Sequence, residues 1–286
     1  YGLDPRLDRA SPMTPPARPA GAPPRAVPIV GVGASAGGLE AFSRLLRALP
    51  TDTGLAFVLV QHLDPAHASA LDELLGHATA MPVAPAVDGA LVAPNHVYVI
   101  PSSAELTVDE GVLRLRPRPT EEQRIPRAID AFLESLAATA GEHAIGVLLS
   151  GTGIDGTEGL RAIRDAGGFA LAESVASARA PGMPTHAVEA GVVDQVLPVE
   201  GIAAEIARLA PHVAYGDVGR ADGERVRELV EVLRRTAGID FGDYKSSTLR
   251  RRVARRMALR RAPDLAAYVT MVSDDPAEAR TLAEDV

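Results

Sequence analysis

Cysteine is absent from the 286 residues, which excludes disulfides, thiolate metal sites and cysteine nucleophiles. Tryptophan is absent too, and only 3% of the residues are aromatic, too few to interleave with basic side chains and stack bases. Long hydrophobic runs are missing. Apolar stretches such as Leu55 to Val60 fall far short of the roughly 20 residues that span a bilayer, and no charged-then-apolar signal opens the chain. A cytoplasmic protein with no membrane insertion is therefore expected. Excess positive charge is lacking as well: 29 Lys and Arg stand against 37 Asp and Glu, a net charge of −8, which argues against a general nucleic-acid surface. What remains is ample core material, since 47% of the residues are hydrophobic and the length suggests roughly two domains.

Composition divides the chain. Residues 1–27 are rich in Pro, Ala and Arg with little periodicity, the signature of an extended, poorly ordered arm. Over 28–209, short β-branched runs ("VPIVGVG", "LAFVLVQH", "HVYVIP", "HAIGVLLSG", "GFALAE") alternate with amphipathic ones ("LEAFSRLLRAL", "ALDELLGHA", "IPRAIDAFLESLAATA", "EGLRAIRDAG"). That alternation predicts an α/β domain, a doubly wound, mostly parallel sheet. Residues 210–222, with "GDVGRADG", read as a linker or hinge. Residues 223–286 read as a small all-α domain, with Val226, Leu229, Val230 and Leu233 on one helix face and a basic run "SSTLRRRVARRMALRR" beyond it. No fixed-period repeat is present.

"VPIVGVGASAGGLEAF" supports two incompatible readings. Gly31-Val32-Gly33-Ala34-Ser35-Ala36 fits the G-x-G-x-x-[GA] turn of a dinucleotide site, whereas Gly33-Ala34-Ser35-Ala36-Gly37 fits the G-x-S-x-G turn that exposes a nucleophilic serine. The next strand discriminates. A dinucleotide fold wants an acidic residue at its end for the ribose hydroxyls, but "LAFVLVQH" ends in Gln61 and His62. A histidine there suits a base facing a serine on the neighbouring strand end. The loop "SGTGIDGTEG" brings Asp155 to the same carboxyl edge, so Ser35, His62 and Asp155 make a candidate triad in which the carboxylate orients the imidazole and the imidazole activates the hydroxyl. Their chain order, Ser-His-Asp, differs from that of the α/β-hydrolases. Each also has a plainer reading: Ser35 as a small turn residue, His62 as a satisfied strand-end side chain, Asp155 as the N-cap of the helix just after it. His62, Asp64 and His67 fit no zinc spacing, and neither metal nor cofactor is expected.

"GVGASAGGLEAF", "VLVQHLDP", "PNHVYVIP", "LLSGTGIDGTEGL" and "PGMPTHAVEAGVVDQVLP" together resemble the catalytic domain of the chemotaxis receptor methylesterases, the CheB type, in order and over nearly all of 28–209. The resemblance implies Ser35, His62 and Asp155 as the triad, a protein-glutamate methylesterase that also deamidates glutamine, and a methylated chemoreceptor cytoplasmic domain as partner. "GIDFGDYKSSTLRRRVARRMALRRAPDLAAYVTMV" is similar to the N-terminal helical domain of the CheR-type receptor methyltransferases, so the chain reads as a fragment of a methylesterase–methyltransferase fusion. With no methyltransferase catalytic domain in these residues, no methyl transfer is expected from them, and they hold no receiver domain through which the family's phosphorylation control would act. The backbone amides of Ala36 and Thr152 are candidate oxyanion donors, because the residue after an elbow serine aims its N–H at the developing charge. Met183, in "PGMP", is a candidate lining residue of the cleft. The region Arg250 to Arg261 reads equally as a solvated helix face and as a partner-binding one, and the resemblance tips it toward docking on the receptor's methylation helices. A catalytically silent receptor-binding module is the alternative function.

Overall fold

The computed structural model describes residues 27–62, 71–102, 104–117, 127–215, 223–237 and 246–285. The proline-rich arm up to residue 26, Asp64, His67 and most of the expected hinge lie outside them.

Seven parallel strands form the central sheet: β1 (Ile29–Ala34), β2 (Ala56–Gln61), β3 (Val83–Pro85), β4 (Val97–Val99), and, after a hairpin of β5 (Ala104–Asp109) and β6 (Val112–Pro117), β7 (Ile145–Leu148), β8 (Phe169–Glu173) and β9 (Gln195–Leu197). Their spatial order is β3-β4-β2-β1-β7-β8-β9. The middle strands are buried on both faces, as a parallel sheet covered by helices must be. Side-chain alternation splits the core in two. Phe57 and Leu59 join Phe42, Leu45, Ile202 and Ile206 on the side of α1 (Gly38–Ala48), α2 (Leu71–Gly76) and α6 (Val199–Tyr215). Val58 and Val60 join Ile129, Phe132, Leu133 and Leu160 on the side of α3 (Ala128–Ala140), α4 (Thr157–Asp165) and α5 (Gly182–Glu189).

The chain leaves β1 for β2 on one side and returns through β7 on the other, pairing Val32 with Leu59 and with Val147. The carboxyl ends of β1 and β7 therefore flank the switch point where open α/β sheets hold their ligands. Gly31 and Gly33 lie inside β1. A Cβ on Gly33 would stand 2.4 Å from Ile129 Cγ2, and one on Gly31 would stand 2.7 Å from Leu133 Cδ2. These glycines let α3 approach the sheet, which leaves only Ala36 of the dinucleotide fingerprint in the turn and removes the structural basis of that reading.

Two segments depart from the sequence expectation. The β5–β6 hairpin was not expected, although Ala104, Leu106 and Val108 alternate inward with period two; Glu110 and Gly111, both at positive φ, close it. Helix α6 runs through Pro211 to Tyr215, so the expected boundary at 209 falls within it. Buried Ala210 and Val213 hold that last turn to the core, and His143 Nδ1 lies 2.6 Å from Val213 O.

Among the described residues four helices follow, α7 (Gly223–Ala237), α8 (Ser246–Arg260), α9 (Leu265–Asp274) and α10 (Pro276–Asp285), with Leu229, Leu233, Val253, Tyr268, Val272 and Leu282 in their buried core. The basic run occupies α8, and most of it is committed within the chain. Arg255 is buried, donating to both Asp194 oxygens at 2.5 Å, to Gly168 O at 2.7 Å and to Asp285 at 3.2 Å, with its guanidinium 5.8 Å from the Phe169 ring centroid. Arg252 donates to the Arg164 and Asp165 carbonyls at 2.7 and 2.5 Å, satisfying the open end of α4. Arg256 forks onto Glu278, and Arg260 reaches Asp275 at 3.1 Å. Gly168 and Asp194 precede β8 and β9, so α8 seats on the amino edge of the sheet, opposite the switch point. Of the run, Arg250 and Arg251 stay exposed and without a partner among the described residues, and Arg260 and Arg261 are exposed too, the latter reaching Glu205 at 3.5 Å. Among the described residues no helix is long and apolar enough to cross a membrane.

Candidate active site

Ser35 comes directly after the last residue of β1, and Ala36 and Gly37 turn the chain into α1. Gly37 has φ +80°, the left-handed region, and a Cβ there would meet Ser150 Oγ at 2.8 Å. Glycine is thus required twice over, by conformation and by space. The turn leaves Ser35 half-buried, and its hydroxyl makes no hydrogen bond among the described residues.

Ala34 and Gln61 are register partners on β1 and β2, so Ser35 and His62 leave neighbouring strands side by side, about 4.8 Å apart by strand spacing. His62 Nε2 lies 2.7 Å from Asp155 Oδ2. With Nε2 given to the carboxylate, Nδ1 is the ring nitrogen left to take a proton. Apo sites commonly leave the nucleophile–base bond open until substrate closes it.

Asp155 is held from two further directions. Its Oδ2 accepts the Ile129 N–H at 3.0 Å and its Oδ1 the Asp130 N–H at 2.9 Å, the second and third amides of α3. The plain reading of Asp155 as the cap of its own succeeding helix is corrected: α4 begins after Gly156 with no side-chain cap, and Asp155 caps α3 instead. Asp130 returns the favour by accepting the Gly159 N–H of α4 at 2.8 Å. Burial alone would raise the Asp155 carboxyl, but the His62 bond and the two α3 amides outweigh it and hold the group below its ordinary value. Asp130 goes the other way: burial raises it, the Gly159 amide counters in part, and the Asp155 charge adds to the rise.

The amides of Ala36 and Thr152 donate to no acceptor among the described residues, and both residues are exposed on the loops beside Ser35. Met183 does not line an open cleft. Its side chain is fully buried, and its thioether lies under Gly151, where a Cβ would sit 2.7 Å from the Met183 methyl and 3.1 Å from Ser35 Cβ. An open depression of about 460 Å³ adjoins the elbow, with Gly37, Leu39, Arg47, Gln61 and Arg179 among its walls.

Four residues of this region escaped sequence reasoning. Gln61 reaches Ser35 O through Nε2 at 3.4 Å while its Oε1 is buried without a partner among the described residues. Asp130, Ser150 and Glu173 are polar residues buried within or at the ends of apolar elements, and that misfit with the hydrophobic pattern was their signal.

Comparison with known proteins places these features. Residues 30–206 match the family model described as CheB methylesterase, and residues 224–286 match that described as CheR methyltransferase, all-alpha domain. The chain is 37% identical over 193 residues to the protein-glutamate methylesterase/protein-glutamine glutaminase 2 of Pseudomonas aeruginosa, covering 66% of this chain and 55% of that protein. It is 40% identical over 190 residues to the enzyme of the same name from Burkholderia lata, covering 66% of this chain and 56% of that one. A 104.1 kDa Rhodobacter capsulatus protein, encoded in the hypE 3' region, is 36% identical over 239 residues, 74% of this chain and 25% of its own length. The crystal structure of the Thermotoga maritima CheB methylesterase catalytic domain superposes with a TM-score of 0.58 at 30% identity, covering 63% of this chain and 97% of that one. The chain thus spans about half the length of the methylesterases it matches.

Proposed function

The chain belongs to the CheB methylesterase family, and from that premise we propose that it hydrolyses glutamyl methyl esters on a chemoreceptor cytoplasmic domain through Ser35, His62 and Asp155. The observation that carries the reading is the 2.7 Å bond between His62 and Asp155, beside Ser35 at the switch point of the sheet. His62 Nδ1 takes the Ser35 proton as Oγ bonds the ester carbonyl carbon; the tetrahedral intermediate collapses, and methanol leaves with that proton. Water then gives a proton to His62 as its oxygen attacks the acyl carbon; the bond to Oγ breaks, Ser35 regains its proton, and glutamate is released. The Ala36 and Thr152 amides stabilise the oxyanion in both halves. Asp155, kept ionised, holds the imidazole orientation and stabilises the imidazolium.

A carboxamide differs from the ester only in its leaving group, so the same site deamidates glutamine by releasing ammonia, in line with the second half of the relatives' name. The depression beside the elbow seats the substrate segment, and the protein works in the cytoplasm, where receptor signalling domains lie. Methanol release from a methylated receptor cytoplasmic fragment tests this. Wild type releases methanol, and Ser35→Ala loses roughly 10⁴-fold in rate while folding normally. Equal release by both proteins removes Ser35 as nucleophile, and binding without release by wild type establishes a silent receptor-binding module.

A further inference from the structure

Ser150 stands two residues beyond β7 and makes no hydrogen bond to His62 or Asp155 among the described residues, yet it grips the elbow at two points. Its backbone oxygen accepts the Ser35 N–H at 2.9 Å, and its hydroxyl donates to Ala36 O at 2.8 Å. Those contacts clamp the peptides on either side of the one that carries the Ala36 N–H. The peptide between them is fixed as well, because Ser35 O accepts the Gly38 N–H at 2.8 Å. A trans peptide is planar with its C=O and N–H opposed, so holding that carbonyl toward α1 points the Ala36 N–H the other way.

The second loop obeys the same geometry. Gly151 O accepts the Met183 N–H at 2.9 Å, which turns the Thr152 N–H of the same peptide away from α5. Gly151 N–H donates to Ala180 O at 2.8 Å, and Ala180 N–H donates to Ser150 Oγ at 2.9 Å. The Ser150 hydroxyl therefore joins the Ala36 turn to the strap holding the Thr152 loop. Behind it, Glu173 at the end of β8 is buried; its Oε2 accepts the Ser150 N–H at 2.8 Å and its Oε1 accepts from Ser177 Oγ at 2.7 Å. Arg44 lies 3.8 Å from Glu173 Oε1 and offsets part of the cost of burying the carboxylate, while both Glu173 oxygens are spent on the groups that hold Ser150 and Ser177.

We propose that Ser150, anchored by Glu173, is a positioning residue that sets the Ala36 and Thr152 amides relative to one another as the two oxyanion donors. This rests on the serine-esterase reading above. Met183 contributes through its main-chain amide rather than through its thioether.

Hydrolysis of p-nitrophenyl acetate and the rate of labelling by a fluorophosphonate test it on the full chain. Ser150→Ala lowers kcat about 100-fold with KM unchanged and slows labelling in parallel, the scale of losing a preorganised oxyanion donor. Ser150→Thr restores both, since its hydroxyl keeps the donor and acceptor roles. Where Ser150→Ala does not fold, Glu173→Gln reads the same device one step back, with kcat about tenfold lower at constant KM, the scale of one weakened charge-assisted bond. Wild-type kcat in folded Ser150→Ala or in Glu173→Gln, a loss expressed in KM, or failure of Ser150→Thr to restore the rate each overturns the positioning role while leaving the esterase intact. A wild type that neither turns over the ester nor takes the label fails the esterase reading itself, and this assignment with it.

Discussion

Asp130 and Asp155 cap each other's helices. Asp155, on the loop before α4, accepts two amides at the start of α3, while Asp130, in the first turn of α3, accepts the Gly159 amide of α4. The exchange locks two helix N-termini together directly behind the histidine. It also makes the carboxylate that holds His62 part of the scaffold, so its orientation does not depend on a flexible loop.

Asp155→Asn separates those roles. The amide oxygen can still accept one α3 N–H but cannot match the charged bond to His62, so the imidazole loses its fixed tautomer. Esterase kcat falls roughly 10⁴-fold, as for the carboxylate of comparable triads. Weakened capping of α3 costs about 0.5–2 kcal/mol, and the variant stays folded. Parallel kinetics and thermal melts check this, and a soluble variant with wild-type kcat removes Asp155 from the triad.

Acid titration of stability separates the two aspartates by sign. Asp155 is depressed in the fold, so its contribution is present above the unfolded value of about 3.9 and is lost as pH falls through the folded value. Asp130 is raised, so its ionised form destabilises the fold at neutral pH, and that cost is relieved as pH falls through its folded value. Asp130→Asn, which keeps an acceptor for Gly159 and gives up only the exposed Arg127 at 3.6 Å, therefore raises Tm at pH 7. The gain shrinks as pH falls toward 4, whereas Asp155→Asn flattens the remaining acid loss. Melts from pH 3 to 8 decide it; a pH-independent difference between wild type and Asp130→Asn is the contrary result.

The seat of α8 on the sheet rests on Arg255. Asp194 keeps Arg164 at 3.4 Å when Arg255 is removed, and Arg255 keeps Asp285 at 3.2 Å when Asp194 is removed, so Arg255→Ala and Asp194→Ala each break a buried network without leaving a lone charge and destabilise by about 2–3 kcal/mol. The paired replacement Arg255→Met with Asp194→Leu costs less than the sum of the two single losses, because the bond they share is lost only once, while Gly168 O, the Ala170 N–H and Asp285 still lose their partners. Thermal unfolding shows one cooperative transition in wild type and an early loss of helix in Arg255→Ala. Additive single and double losses would mean the pair is not coupled.

Short, continuously apolar, β-branched runs mark where the buried strands stop, and an open parallel sheet gathers the residues just beyond its strand ends along one edge. For that reason Ser35, His62 and the Asp155 loop were legible as neighbours despite the 93 residues separating His62 from Asp155. The α/β class was legible from the alternation of such runs with amphipathic ones, and the helical C-terminal region from the helical spacing of Val226, Leu229, Val230 and Leu233. Tertiary structure alone decided what contacts across the chain control. It assigned Gly31 and Gly33 to helix packing rather than to a phosphate turn, because only the approach of α3 shows what a Cβ would strike. It gave Asp155 the cap of a helix that precedes it in the chain, carried α6 past the expected boundary through the burial of Ala210 and Val213, and drew Arg252 and Arg255 onto the amino edge of the sheet. Local sequence encodes periodicity and turn chemistry. Which carbonyl or carboxylate a distant arginine, serine or aspartate meets is settled only when the sheet order brings them together.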